Sequence, residues 1–364
     1  MAPCLPSGER RVSKNDKKIA TRRMTLKTVA EVLNVSTATI SNAFNRPDQL
    51  SAALREHILQ ECERLGYNGP NPAARSLRTG ATGIVGVMLA ERLAYNFRDG
   101  CATEFLQGVS EVLDDARINM LLMPGRDDFY QLQSLESIPD RYIVYGPPRD
   151  IGVINRIESQ RKPVVTVDFS LPNHLSLNVD NYGGAKQAAK HVFSKMGAGP
   201  VAVIGLRLIS SDYVGRIKDR ALLDPIMSIS RQRLEAYRDA AAEVGIDISG
   251  DQVWNTHESN WADGVKAARE ALSATPRPQA LFCMSDQLAL AALSVARDLN
   301  IKVPDQLRII GFDDIPEARR SHPAVTTVYQ PSIEKGRLAA MMVLHPDRYE
   351  SRVLPTQLHI RETG

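Results

Sequence analysis

Apolar positions along the chain follow two different periods. Between Met24 and Gly66 they recur at helical spacing. Thr25 is placed to cap a first helix, with Leu26, Val29, Ala30 and Leu33 on one stripe. Asn34 sits where a helix must stop, and asparagine tolerates the left-handed conformation such a turn needs. Val35 follows, then Ser36 as the next cap, and Ile40, Ala43 and Phe44 form the stripe of a second short helix. Ser51 caps a third, with Leu54, Ile58, Cys62 and Leu65 facing inward and Gly66 closing it. Three short helices, the first two joined by a tight turn, predict an all-α helix-turn-helix headpiece over 24–69. A small helical bundle without nucleic-acid contact fits the same pattern.

From Thr82 the pattern changes to short apolar runs. Strands are expected at Gly83–Leu89, Asn119–Met123, Tyr142–Tyr145, Val164–Asp168, Val201–Gly205, Ala280–Met284 and Leu307–Phe312. Helical stretches lie between most of them: Thr103–Ala116, Tyr182–Lys195, Arg231–Val244, Trp261–Leu272 and Gln287–Leu299. Alternating strands and helices predict parallel sheets covered on both faces. Residues 82–364 are too many for one small sheet, so a two-lobed α/β body is expected.

Two segments stand apart. Residues 1–23 hold seven Lys and Arg and almost nothing to bury, which predicts a disordered basic tail. Met24 directly precedes the headpiece. Gly69-Pro70-Asn71-Pro72 is a linker signal, yet Asn71 followed by Pro72 is also a helix start. Ala73 to Arg78 continues that helix and Gly80 ends it. A helix this short is unstable alone in water, so the hinge over 70–81 should order only when something holds it.

Charge sharpens the division. Residues 1–80 carry 13 basic against 7 acidic side chains, while the remainder is mildly acidic. A basic front suggests a polyanion partner, most often nucleic acid, with a solvated tail as the alternative. The 364 residues are 43% hydrophobic and 24% charged, a globular composition that excludes a disordered or collagen-like chain. No apolar run is long enough to span a membrane, and no apolar segment of signal-peptide type follows the N-terminal charges. Cys4, Cys62, Cys101 and Cys283 are far apart, without metal spacing, as in a reduced cytoplasmic chain.

Enzyme signatures do not emerge. There is no phosphate loop, nucleophile elbow or zinc-protease motif. Gly197-Ala198-Gly199 opens like a dinucleotide fingerprint, but it precedes a strand and Ala202 occupies the third glycine position. The seven histidines are scattered. Asp127-Asp128 and Asp313-Asp314 are adjacent carboxylates that suit loop-end binding better than catalysis. No catalytic residue, cofactor or metal is expected.

The stretch from Thr25 to Glu31, together with Val35-Ser36-Thr37-Ala38-Thr39-Ile40-Ser41-Asn42-Ala43-Phe44-Asn45, resembles the LacI/GalR (lactose-repressor) family of bacterial transcription regulators. Leu65-Gly66-Tyr67 and Asn71-Pro72-Ala73-Ala74-Arg75-Ser76-Leu77 are similar too. So are Val167-Asp168, Val179-Asp180-Asn181, Arg233-Leu234, Ser285-Asp286-Gln287, Gly311-Phe312-Asp313-Asp314 and Thr326-Thr327-Val328. The similarity runs from 24 to 362. It implies a homodimer on a palindromic double-stranded DNA operator, with the second helix in the major groove and the hinge leucine, here Leu77, wedged into the minor groove.

On that resemblance, Thr37 and Ala38 take base-reading positions, and Ser36, Thr39, Ser41, Asn45 and Ser51 suit phosphate contacts. Thr25, Leu26, Asn42, Asn71, Ala74, Arg75 and Leu77 complete the implied DNA-binding set. Asn42 stands where the family usually has arginine, and Gly69 is an extra residue before the hinge. Residues 36–45 carry no charge, so Lys27, Arg46, Arg55, Arg75 and Arg78 must supply the phosphate affinity. The body would resemble a periplasmic binding protein with a small effector, sugar or polyol-like, between its lobes. The implied effector residues are Asp168, Arg233, Ser285, Asp313 and Gln330, whose acceptors and donors suit vicinal hydroxyls. Ala236 replaces a glycine usual in that family. The implied function is a ligand-responsive repressor, cytoplasmic and nucleoid-associated. The alternative is a solute-binding protein without DNA function. No leucine-heptad tail follows the last strand-like run, which favours a dimer over a tetramer.

Overall fold

The computed structural model describes residues 24–69, 80–125, 138–148, 151–196, 198–209, 211–218, 223 and 228–364. The expectations for residues 1–23, for the hinge helix with Asn71, Ala74, Arg75 and Leu77, for Arg78, and for Asp127-Asp128 fall outside them. The chain divides into two compact units, 1–82 and 83–364.

In the first unit, α1 (Leu26–Val32), α2 (Thr37–Asn45) and α3 (Ala52–Arg64) begin at the caps the sequence marks. Thr25, Ser36 and Ser51 each accept a backbone N–H from three residues on. Asn34 turns the chain at φ 53° and Gly66 ends α3 at φ +69°. Val29, Ala30, Ile40, Ala43, Ile58, Cys62 and Tyr67 form the core. Leu54 does not face inward as its spacing predicts; it is 38% exposed. The first turn of α3 meets α2 through the next residue instead, where Arg55 Nε donates to the Ala43 carbonyl at 3.1 Å, and this leaves Leu54 on the outside. Gly69 is explained by local geometry. Its φ is +105°, and a Cβ there would press on the Phe44 ring at 3.1 Å.

The second unit holds two sheets. The first has the order β12-β5-β4-β3-β1-β2. Its strands are β1 (Ile84–Leu89), β2 (Asn119–Pro124), β3 (Arg141–Tyr145), β4 (Val164–Val167), β5 (Leu175–Val179) and β12 (Arg352–Leu354), all paired in parallel. One face packs α5 (Gly100–Asp115) and α12 (Ser332–Leu344) over a Val, Leu and Phe core. On the other face, Val153, Ile154 and Ile157 of α6 (Ile151–Ser159) join Met88, Tyr142 and Val144.

The second sheet has the order β13-β11-β10-β9-β6-β8-β7. These strands are β6 (Val201–Leu206), β7 (Gly215–Arg216), β8 (Val253–Thr256), β9 (Ala280–Cys283), β10 (Arg308–Asp313), β11 (Thr326–Tyr329) and β13 (Gln357–His359). The central pairs are parallel, while β7 and β13 add antiparallel edges that the alternation pattern does not anticipate. Helices α7 (Asn181–Met196) and α8 (Ile229–Ala242) cover one face; α9 (Trp261–Leu272) and α10 (Asp286–Asp298) cover the other; the short helices α4 (Leu93–Asn96) and α11 (Pro316–Arg320) follow β1 and β10.

The lobes are not consecutive in sequence. The chain crosses between them after β5, after β11 and after β12. Two of these crossings touch: Asp180 N donates to the Leu354 carbonyl at 2.9 Å, and Thr356 Oγ1 to the Asp180 carbonyl at 3.0 Å. Among the described residues no helix is long and apolar enough to cross a membrane.

Candidate functional site

In the headpiece, the caps occupy part of the predicted contact set. Ser36 Oγ accepts from Thr39 N at 3.0 Å and lies 2.8 Å from Thr39 Oγ1. Thr25 Oγ1 accepts from Thr28 N at 3.2 Å, and Ser51 Oγ from Leu54 N at 3.4 Å. Thr37 and Ala38 are exposed on the first turn of α2, Ser41 and Asn42 are half-buried, and Leu26 is half-buried on α1. Asn45 is exposed, and its amide donates to the Ser41 carbonyl at 2.9 Å. The outward edge of α2 thus offers methyls, hydroxyls and an amide, the groups that read base edges in a major groove.

In the body, backbone outliers gather at the C-terminal ends of strands. Asp168 after β4 has φ 65°, Arg207 after β6 has φ 51°, Asp313 ending β10 has φ 119°, and Asp314 has φ 60°. Left-handed backbone at such residues is strained, and it collects where a surrounding site holds it. Open α/β sheets bind ligands beyond these strand ends.

Four of the five effector positions named from the sequence meet there, and the fifth, Ser285, lies beside them. Gln330 Nε2 donates to Asp313 Oδ1 at 2.6 Å. Arg233 Nη1 lies 3.9 Å from the same oxygen, donates to the Met284 carbonyl at 2.5 Å, and so adjoins Ser285. The guanidinium also donates from Nε to Asn181 Oδ1 at 2.9 Å and stacks on the Phe312 ring, 3.4 Å from its centroid. Ser285 Oγ caps α10 and lies 2.7 Å from Ser259 Oγ. Asp168 joins through Lys335, whose ammonium donates to both its oxygens at 3.0 and 2.8 Å and to Gln330 Oε1 at 3.1 Å.

Sequence reasoning missed Lys335, Asn181 and a second meeting of the lobes. Arg207 pairs with Glu91 across the lobes, donates to the His257 carbonyl at 3.0 Å, and lies over the Tyr95 ring. Tyr95 OH donates to Asp99 at 3.2 Å and accepts from Ser259 N at 3.3 Å. One signal for Lys335 is present in the sequence. It shares spacings of three, four and seven with Leu338, Ala339 and Met342, a lysine on an apolar stripe.

Asp313 and Asp314 diverge, which corrects their joint reading as loop-end ligands. Asp314 is buried and turned into an internal cluster with Arg319, His359 and Arg361. The φ of 60° at Asp314 sends the two carboxyls apart. Asp286 beside Ser285 is likewise internal, accepting from Thr327 Oγ1 and from Ile315 N at 2.9 Å.

Burial pushes the Asp313 carboxyl up, to about 7, with Arg233 opposing and Asp99 adding to the rise; Gln330 and Lys335 pull it back. The folded-state value lies above the unfolded one. The carboxyl therefore contributes stability at low pH that is lost as pH rises towards and through 7. Asp313→Asn should melt with a weaker pH dependence and gain on wild type between pH 5 and pH 8. Parallel melting curves for the two proteins across that range would refute this assignment.

A helix-turn-helix headpiece joined to a two-lobed body, with a charged cluster between the lobes, defines a ligand-gated DNA-binding regulator as the class of protein. A family profile described as the periplasmic binding protein-like domain matches residues 223–363. A helix-turn-helix-type transcriptional regulator of Mycolicibacterium smegmatis is 37% identical over 337 residues, 89% of this chain and 91% of that protein. The solved CelR–cellobiose complex is 26% identical, with a TM-score of 0.68 over 94% of this chain and all of the other. The Lac repressor dimer bound to operator shares the fold, with a TM-score of 0.72 over 94% and 99% of the two chains, at 20% identity. The chain belongs to the LacI/GalR family of helix-turn-helix transcriptional regulators. It is a regulator of transcription and not an enzyme.

Proposed function

We propose that the protein is a homodimeric repressor. Its headpieces hold a palindromic operator, and an uncharged sugar or polyol bound between the lobes changes that hold. The observation that carries this reading is the convergence of Asp168, Arg233, Asp313 and Gln330 on one charged, hydrogen-bonded cluster at strand ends from both sheets, with Ser285 next in sequence to the Met284 carbonyl that Arg233 holds. Carboxylates facing a guanidinium and hydroxyls recognise vicinal diols. The solved complex of CelR with cellobiose, a relative over nearly the whole chain, supports the ligand class.

The reading assigns residues 24–69 to the headpiece, 70–81 to the hinge and 82–364 to effector binding and dimerisation. Thr25, Leu26, Ser36, Thr37, Ala38, Thr39, Ser41, Asn42, Asn45 and Ser51 face DNA from the headpiece. Asn71, Ala74, Arg75 and Leu77 do so from the hinge, with Leu77 unstacking a base step. The 1–23 tail adds phosphate contacts, and the protein acts in the cytoplasm at the nucleoid. A thermal-shift screen of sugars and polyols tests the effector half, since a ligand at about 100 times Kd stabilises by ~2.7 kcal/mol. A panel with no stabilising member would reject it.

Asn42 supplies the test of the headpiece. Asparagine pairs with adenine through N6 and N7, whereas arginine prefers guanine through O6 and N7. Wild type should select an A·T pair opposite Asn42, and Asn42→Arg should shift that one position per half-site towards G·C by about 1–3 kcal/mol. Selection from a random DNA pool decides it. Identical preferences for both proteins would place Asn42 away from the bases.

A further inference from the structure

Lys335 is fully buried in the first turn of α12, where the helix's own N-terminal partial charge is positive. A cation is disfavoured there twice, by burial and by the dipole, and is retained only with charged partners. Its three N–H bonds have three acceptors: the two oxygens of Asp168 and Oε1 of Gln330. Burial is the largest influence and pulls the ammonium pKa down, but Asp168, Cys101 and Asp313 together outweigh it and hold the group above the ordinary lysine value. The other titratable side chains facing this pair are Tyr145 of β3, Cys101 and Asp99 of α5, and Asp313 of β10. None of these is a cation.

We propose that Lys335 is the positioning residue of the effector site. Resting on the effector-site reading above, the assignment adds what sets the site's geometry and charge. The ammonium fixes Asp168 by bonding both of its carboxylate oxygens. It also decides which way the Gln330 amide points: with Oε1 accepting from Lys335, Nε2 must face Asp313, and it does so at 2.6 Å. One cation thereby orders acceptors from β4 on one lobe and, through Gln330, from β10 on the other. Arg233 faces Asp313 and Lys335 holds Asp168, so each cation of the cluster already has a carboxyl partner and none is left to meet a phosphate. The array therefore takes an uncharged polyhydroxyl ligand in preference to a sugar phosphate.

The test compares full-length wild type, Lys335→Met and Asp168→Asn/Lys335→Met. Melting of ligand-free protein is followed from pH 5 to pH 8. In Lys335→Met the half-buried Asp168 carboxylate has lost its cation, so its charge is carried unpaired at a cost in stability. That variant should lose stability relative to wild type as pH increases. The double variant, with no charge at either position, should lose this added slope. If Lys335 were only filling space, methionine would shift all melting points by one constant amount, and that result overturns the proposal. Should Lys335→Met not fold, a double variant that also carries the added slope overturns it instead.

Binding is then read with glucose, ribose, cellobiose and sorbitol, and with glucose 6-phosphate as the anionic comparison. The neutral probe that stabilises wild type should bind both variants at least tenfold more weakly. A neutral probe that binds Lys335→Met as tightly as wild type overturns the assignment and leaves the effector reading standing. A wild-type protein that responds only to the phosphate overturns the charge argument. No wild-type response to any probe rejects the effector reading, and the assignment with it.

Discussion

Replacing Arg233 by alanine is expected to abolish the effector response at concentrations that saturate wild type. The guanidinium is buried, holds Asn181 and the Met284 carbonyl, and stands 3.9 Å from Asp313. Without it Asp313 loses the cation that opposes its burial, and Asn181 Oδ1 loses its donor. Leaving buried polar groups unpaired costs about 1–3 kcal/mol each. A ligand that relied on both Arg233 and Asp313 should therefore bind roughly a hundredfold more weakly. Arg233→Lys should restore little, because one ammonium cannot reproduce a guanidinium fork stacked on Phe312. Operator binding titrated against effector is the measurement. A variant released at the wild-type effector concentration would remove Arg233 from the site.

The second large effect concerns the scaffold under that site. Helices α5 and α12 cross at a pair of glycines. A Cβ on Gly108 would fall against the Ile333 carbonyl, and one on Gly336 against the Phe105 carbonyl. Backbone on both sides leaves nothing that can swing away. Gly336→Leu should therefore force the helices apart and cost about 3 kcal/mol or more. That corresponds to a fall in Tm on the order of 10 °C. Gly108→Ala should act in the same direction with a smaller shift. Because Lys335 precedes Gly336, the same displacement should weaken effector binding before the protein unfolds. Calorimetry with and without effector reads both effects. A Gly336→Leu protein that melts at the wild-type temperature would show that the helices do not cross this closely.

Both predictions turn on contacts between residues far apart in sequence, and legibility divides along that line. The headpiece could be read almost completely from local rules. Its caps are hydroxyl side chains that bond backbone three residues on, and its turns are an asparagine and a glycine in left-handed conformation. Such features depend on neighbours within one helical turn. The exception was Leu54, whose burial depends on which α3 residue meets α2.

In the body, the central strands were visible because they are buried on both faces and read as unbroken apolar runs. Leu175–Val179, Val253–Thr256 and Thr326–Tyr329 were missed because Ser176, Asn178, Asn255, Thr256, Thr326 and Thr327 interrupt them. Several of those polar side chains are buried with partners elsewhere in the fold: Thr327 Oγ1 on Asp286, Asn255 Oδ1 on Leu208 N, Thr326 Oγ1 on Arg361 N. Their partners cannot be found by periodicity.

The sequence by itself determined the headpiece, the alternation that makes an α/β body, and, through family resemblance, five positions at or beside one cluster. Those properties follow from local backbone chemistry or from motifs contiguous in the chain. Tertiary structure alone decided how the cluster is charged. Asp168 and Lys335 are 167 residues apart, and they meet because the chain returns to the first lobe after β11. Asp313 and Asp314 are adjacent, yet one enters the cluster and the other an internal ion network, because left-handed backbone sends them apart. Burial and long-range pairing set the ionisation of Asp313 and Lys335, and neither is a property of any short stretch of sequence.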